Sequence, residues 1–131
     1  IRDRQIQLPL VQGGTMTGAN SIAVFDEKNI VIVGGDYNND TLSSGICVRT
    51  SNRGNSFETA IVPPRGYRSC VAFLTKNQLV TCGTTGVDVS EDGGLRWRPV
   101  SNTGFHVVQK AKKGKAVFLA GRNGRIARLK W

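Results

Sequence analysis

The feature of this sequence that most constrains its fold is an internal repeat. Three segments follow one plan: a glycine-led apolar run, a short polar turn, a second apolar run that ends in glycine, and a third run. The leading glycines are Gly18, Gly66 and Gly104, and those that close the second run are Gly34, Gly83 and Gly121. Both sets are spaced by 48 or 49 residues and then by 38. Such a repeat predicts structural units that bury their apolar faces against one another.

The repeated runs predict short β-strands. They are rich in Val, Ile and Leu and are bounded by glycine or polar turns, and the sequence has no helical stripe of useful length. We therefore predict an all-β fold of about three four-stranded antiparallel blades of a β-propeller, over residues 18–62, 66–101 and 104–131. Residues 1–17 would hold an outer strand of an earlier blade (4–11) and a linker. Known propellers have about 4–8 blades, so the chain would be an incomplete propeller.

Two octets of the sequence predict tight hairpin turns. "TSNRGNSF" and "SEDGGLRW" share the pattern hydroxyl, any, Asp or Asn, any, Gly, any, any, aromatic. The members are Thr50, Asn52, Gly54 and Phe57 in the first copy, and Ser90, Asp92, Gly94 and Trp97 in the second. An Asx side chain accepts hydrogen bonds from nearby backbone N–H groups, and glycine supplies positive φ. The pattern therefore predicts a structural role for all eight residues.

These octets resemble the Asp box, also called the bacterial neuraminidase repeat. The stretches "SIAVFDEKNIVIVGGDY", "PPRGYRSCVAFL", "CGTTGVDVSEDGGLRW" and "KAKKGKAVFLAGRNGRIARL" resemble the C-terminal blades of the photosystem II stability/assembly-factor-like proteins, which are seven-bladed propellers. The resemblance implies a non-enzymatic scaffold for protein–protein interaction or assembly and a periplasmic or otherwise exported location. It also implies partners: the remaining blades of the same protein, another fragment or further copies of the chain.

The alternative is a sialidase-like glycoside hydrolase or a carbohydrate-binding propeller. A sialidase needs an arginine cluster, a tyrosine nucleophile paired with glutamate, and an acid. The tyrosines here are Tyr37 and Tyr67, and nothing in the sequence pairs either of them with one of the three glutamates. We therefore assign no catalytic residue. With a single histidine and no CxxC pair, we also predict neither a metal site nor a cofactor.

Superposition of the repeats indicates a candidate binding site at one mouth of the propeller channel. Asn20, Arg68 and His106 each stand two residues after a leading glycine, with Tyr67 and Phe105 beside them. Wet channel mouths are polar in any case, so this position has a purely structural explanation too.

The net charge of +9 is concentrated at the C-terminal end. Residues 105–131 carry eight Lys or Arg and no acid. Lys112, Lys113, Lys115 and Arg122 are candidates for a basic partner surface that would attract an acidic protein. Nucleic acid is a weaker alternative, because no nucleic-acid module and few aromatic residues accompany the charge. No stretch has the roughly 18 apolar residues of a membrane helix.

Overall fold

The computed structural model describes residues 4–130, and it is built from eleven strands in three antiparallel sheets. Residues 1–3 and 131, which belong to the predicted first and last segments, lie outside the described residues. The first sheet contains β1 (Thr17–Val24), β2 (Ile30–Asp36), β3 (Cys47–Thr50) and β4 (Glu58–Thr59). The second contains β5 (Cys70–Phe73), β6 (Leu79–Gly83), β7 (Gly86–Ser90) and β8 (Trp97–Ser101). The third contains β9 (Val107–Lys110), β10 (Val117–Ala120) and β11 (Ile126–Leu129).

The predicted all-β fold is confirmed. In each sheet the strands lie in chain order, so every connection is a hairpin between neighbours. The first strands of the sheets are in contact, β1 with β5 and β5 with β9, which places the three sheets side by side around one axis. The only helical turns in residues 4–130 are two short 3₁₀ segments, Tyr37–Asn39 and Arg122–Gly124. Among residues 4–130, the third sheet has three strands, and β11 pairs with β10 alone.

The hydrophobic core lies between the sheets. One cluster joins the first and second sheets and includes Val31, Val33 and Leu79. A second joins the second and third sheets and includes Val80 and Val89. Side chains alternate between the faces of a strand, so the middle sheet buries both of its faces. Every residue of β6 and β7 is accordingly buried.

The segment before β1 differs from the sequence prediction, because residues 4–16 form no strand. Pro9 has no N–H to donate, and the neighbouring residues lie against a sheet face instead of along a sheet edge. Leu10 is buried against Ile32 and Val48 on the face of the first sheet that points away from the second. The backbone N–H of Val11 donates to the carbonyl of Gly45 at 2.8 Å.

The hairpin connections define two ends of the molecule. We call the end with the β2–β3, β6–β7 and β10–β11 connections the upper rim. We call the opposite end, with the β1–β2, β5–β6 and β9–β10 turns and both repeated octets, the lower rim. Residues 4–130 contain no helix that is long and apolar enough to cross a membrane.

Candidate functional site

The second octet forms the hairpin between β7 and β8 at the lower rim, as predicted. The Ser90 hydroxyl accepts a hydrogen bond from the N–H of Gly94 at 2.9 Å and donates to Asp92 Oδ1, also at 2.9 Å. Asp92 Oδ1 accepts from the N–H groups of Leu95 at 3.1 Å and Arg96 at 2.8 Å. The polar groups of this turn are therefore used to close the turn itself.

The first octet repeats this arrangement between β3 and β4. The Thr50 hydroxyl accepts from the N–H of Gly54 at 3.0 Å. The Asn52 side-chain oxygen accepts from the N–H of Ser56 at 3.1 Å. An asparagine in place of aspartate thus keeps the backbone contact while it carries no charge.

The aromatic residues of the two octets pack in different places. Trp97 is 4% exposed in the core between the first and second sheets. Its indole Nε1 donates to the carbonyl of Gly94 at 3.0 Å, and Gly94 has a φ of +98°. Phe57 is half-buried beside Ile32 on the outer face of the first sheet. The second octet therefore anchors one sheet to the next, whereas the first covers an outer face.

The carboxylate of Asp92 is held in its charged form. Burial disfavours the charge, but the hydrogen bonds from the Arg96 N–H, the Ser90 hydroxyl and the Arg96 guanidinium together outweigh it. The pKa of Asp92 therefore lies below its ordinary value. The guanidinium of Arg96 is 3.1 Å from Asp92 Oδ2, which gives this arginine a role within the turn.

Arg68, predicted at an open channel mouth, is buried: its side chain is 0% exposed. Nη2 donates to the Asp88 carboxylate, and Nη1 donates to Tyr67 O and Thr85 Oγ1, both at 2.9 Å. The Asp88 side chain is also 0% exposed and accepts from Arg65 Nε at 3.4 Å. Burial lowers the pKa of Arg68 and Asp88 opposes that effect. Arg68 is thus committed to a buried ion pair and does not face a ligand.

The other predicted mouth residues lie at the upper rim in several separate contacts. Asn20 donates through Nδ2 to the carbonyl of Arg68 at 2.9 Å. The Tyr67 ring packs edge-on against Tyr37, with 5.3 Å between ring centroids. Phe105 is buried, and the neighbouring His106 is exposed.

A cavity of about 430 Å³ at the upper rim brings three of the predicted residues together. Phe105, His106 and Arg122 line it. Its other lining residues are Tyr37, Asp40, Thr84, Gly104 and Arg125. Cationic and aromatic side chains thus face one space, with Asp40 as the one acid among the lining residues.

Two contacts hold the Arg125 side chain in place at this cavity. Its Nη1 donates to the carbonyl of Gly104 at 3.1 Å, and its guanidinium lies 5.8 Å from the centroid of the Phe105 ring. The sequence analysis did not single it out, although it lies three residues from Arg122 across the same turn. The sequence analysis did not place Tyr37 and Asp40 at this site, because they come from the long β2–β3 connection, and its approach to residues 104–106 is a tertiary contact.

The predicted basic surface is divided between the two rims. Lys112, Lys113 and Lys115 are exposed in the β9–β10 turn at the lower rim. Arg122 lies in the β10–β11 connection at the upper rim, at the other end of β10. The four residues therefore do not form one surface, and Arg122 belongs with the cavity.

The groups that a sialidase mechanism would need lie apart. Tyr37 and Tyr67 contact each other at the upper rim. The three glutamates pair with arginines towards the lower rim: Glu27 with Arg53, Glu58 with Arg49, and Glu91 with Arg98.

Cys47 and Cys82 are buried in the core, and Cys70 is partly buried. Burial raises the pKa of Cys47 and Cys82 to about 12, so both are protonated at neutral pH. Within residues 4–130, no cluster of three or more His, Cys, Asp or Glu is placed to hold a metal ion.

Three sheets of antiparallel strands in chain order, with their first strands side by side, define an open arc of β-propeller blades. The chain is similar to a solved structure described as YCF48 bound to D1 peptide, with a TM-score of 0.67 and 18% sequence identity. The similarity covers 95% of this chain and 40% of that one, and it confirms the fold that the family resemblance implied. No family model and no curated protein sequence matches the chain.

Proposed function

We propose that the chain is part of a non-enzymatic β-propeller scaffold that binds an acidic segment of a partner protein at its upper rim. The observation that carries this proposal is the cavity in which His106, Arg122 and Arg125 stand beside Phe105. Guanidinium groups bind carboxylates through charge-assisted, often bidentate hydrogen bonds. Aromatic rings add apolar contact area beside them. The similar solved structure holds a bound peptide, which supports a peptide as the ligand class.

The proposal includes how the scaffold is built. Residues 18–62, 66–101 and 104–131 would be consecutive blades, and further blades would come from the same protein, from another fragment or from a second copy. The two octets would be Asp boxes that fix blade geometry and take no part in ligand binding. Their polar groups already close their own turns, which supports that assignment.

The test is binding of acidic peptides to the chain and to two charge-reversed variants. An array of short peptides that carry aspartate or glutamate next to an aromatic residue would be screened by fluorescence anisotropy. Arg122→Glu with Arg125→Glu should abolish most binding, because it reverses the charge of the cavity. Lys112→Glu with Lys113→Glu makes the same change in net charge at the lower rim and should leave cavity binding nearly unchanged.

Two results would contradict the proposal. Equal loss of binding in both variants would mean that only the overall charge attracts the peptides. Turnover of fluorogenic sialosides or other glycosides by the chain would favour the glycoside hydrolase alternative over a scaffold.

A further inference from the structure

Two of the three cysteines lie directly opposite each other in the middle sheet. Cys70, the first residue of β5, is the pairing partner of Cys82 in β6. The third cysteine, Cys47, begins β3 in the first sheet. Residues directly opposite in an antiparallel pair have Cα atoms about 4.5–5.5 Å apart. Disulfides span Cα separations of about 4.4–6.8 Å, so the backbone spacing at the Cys70–Cys82 pair is that of a disulfide.

The two thiols also point to the same face of the sheet. Cys82 belongs to the core cluster that the second sheet shares with the third, and Cys70 packs against that cluster. The Cys70 thiol donates to the carbonyl of Val108 in β9 at 3.4 Å, which fixes its direction. Cys47 belongs to the cluster between the first and second sheets. The middle sheet therefore separates Cys47 from the other two thiols.

The geometry of the pair favours a reversible bond. The Cβ atoms of directly opposite residues lie about 4.5–5.5 Å apart, whereas a disulfide brings them to about 3.8 Å. The two strands must therefore move together slightly before the bond can close. This movement is confined to the end of the ladder, because Cys70 is the terminal residue of β5. A disulfide closed under such strain is more easily reduced than a relaxed one.

We propose that Cys70 and Cys82 are a redox-active pair that forms a reversible disulfide by exchange with a small disulfide such as oxidised glutathione. All four strands of the sheet that carries the pair are present in this chain. The site therefore depends neither on further blades nor on the upper-rim cavity.

The exchange proceeds in two steps, and the exposure of the thiols sets their order. Cys70 is partly buried and Cys82 is buried, so the small disulfide reaches Cys70 first. The Cys70 thiolate attacks one sulfur of oxidised glutathione, forms a mixed disulfide and releases one glutathione thiolate. Cys82 then loses its proton to solvent, and its sulfur attacks Cys70 Sγ and expels the second glutathione. The two protein thiols are oxidised, and one oxidised glutathione is reduced to two glutathione molecules.

Oxidation would also change the junction between the second and third sheets. A disulfide sulfur has no hydrogen to donate, so the contact of Cys70 with the Val108 carbonyl would be lost. The next contact along this junction is the Ser69 hydroxyl, which donates to the carbonyl of His106 at 2.7 Å. We therefore expect faster hydrogen exchange along Val107–Lys110 in the oxidised chain than in the reduced chain.

Disulfide mapping of the native chain tests the proposal. Trypsin cuts after Lys and Arg, which places the three cysteines in separate peptides, 29–49, 69–76 and 77–96. The folded chain would be incubated with oxidised glutathione, its remaining thiols blocked with N-ethylmaleimide in denaturant, and the product digested without reduction. We expect 69–76 joined to 77–96, with the thiol of 29–49 blocked. Excess reduced glutathione added before the block should restore both thiols of the pair.

Two variants are the controls. Cys47→Ala should leave the link between 69–76 and 77–96 unchanged. Cys70→Ser should leave Cys82 free of glutathione, because its burial keeps the probe away.

Several results would overturn the proposal. One is a stable glutathione adduct on Cys70 beside a free Cys82, since the pair would then not close. Another is a link that involves 29–49, or an adduct on Cys47 that forms as fast as the reaction of Cys70, because the thiols would then react only in unfolded chains. A link that excess reduced glutathione does not open would mean a permanent disulfide. Unchanged exchange along Val107–Lys110 would contradict the expected effect on the junction.

Discussion

At the residue scale, the octet turns show how two acids beside a tryptophan can serve stability. Asp92 in "SEDGGLRW" accepts two backbone hydrogen bonds at the start of β8, and its neighbour Glu91 lies near Arg98 at 3.6 Å. Asp92→Ala would leave those N–H groups without their acceptor and should lower the free energy of unfolding by about 1–3 kcal/mol. Urea denaturation measures this change. Asn52→Ala in the first copy should also lower the free energy of unfolding, because the N–H of Ser56 loses its acceptor. If neither variant changed the free energy of unfolding, the octet side chains would have no structural role.

The charge of Asp92 should also make stability depend on pH. Its pKa in the folded state lies below the ordinary value of 3.8, so the unfolded chain binds the proton more readily. The stabilisation is therefore full at neutral pH and is lost as the pH falls below 3.8 towards the folded-state pKa. Asp92→Asn should reduce the difference in stability between pH 7 and pH 3, as measured by urea denaturation at the two pH values.

The buried Arg68–Asp88 pair should respond more strongly to a single change. Asp88→Asn would leave Arg68 as an uncompensated buried cation and would weaken the contact with Arg65. Breaking a buried pair in this way costs about 3–5 kcal/mol. Thermal and chemical denaturation would measure the loss. Glu58→Gln breaks the exposed pair with Arg49 and should cost far less, so similar costs for the two variants would contradict the assigned burial.

At the element scale, the second hairpin joins two sheets and the first does not. Trp97→Ala should lower the free energy of unfolding by about 3–5 kcal/mol, because a fully buried ring leaves a cavity in a packed core. Phe57→Ala should cost less, because its ring is half-buried on an outer face. Chemical denaturation measures the loss of unfolding free energy in each variant. A larger loss for Phe57→Ala than for Trp97→Ala would mean that the outer face is packed more tightly than the junction between the sheets.

Local pattern predicted the elements well but predicted their partners poorly. The spacing of the glycines and apolar runs is a local property, and it located the strands and both octet hairpins. Arg68 precedes β5, and its burial depends on Asp88, which is 20 residues away in β7; no local pattern contains that contact. Arg122 was grouped with the lysines by sequence proximity, although β10 runs between them and places them at opposite rims. Residues 4–11 have strand-like composition, but they form no strand, and only Leu8 and Leu10 among them pack on the face of the first sheet.

At the scale of the whole molecule, the two outermost sheets expose apolar faces. Ile22 and Val24 on β1 are exposed on the side away from the second sheet, as are Val107, Phe118 and Ile126 on the third sheet. The middle sheet buries both of its apolar faces against the neighbouring sheets. The outward faces of the first and third sheets are also apolar, but no neighbouring sheet within residues 4–130 covers them. Large exposed apolar patches of this kind mark sites of association.

The isolated chain of 131 residues should therefore associate as its concentration rises. Ile22→Lys with Ile126→Lys would place a charge on each outer face and should reduce that association, because a charge must then be desolvated at each contact. Sedimentation velocity over a range of concentrations measures the change in mass from the 14.2 kDa monomer. Ile61→Lys is the control, since this isoleucine is equally exposed but its backbone N–H bonds to Leu95 in the hairpin between β7 and β8. A chain that stays monomeric at every concentration, or that responds equally to all these changes, would show that the outer faces are not association surfaces.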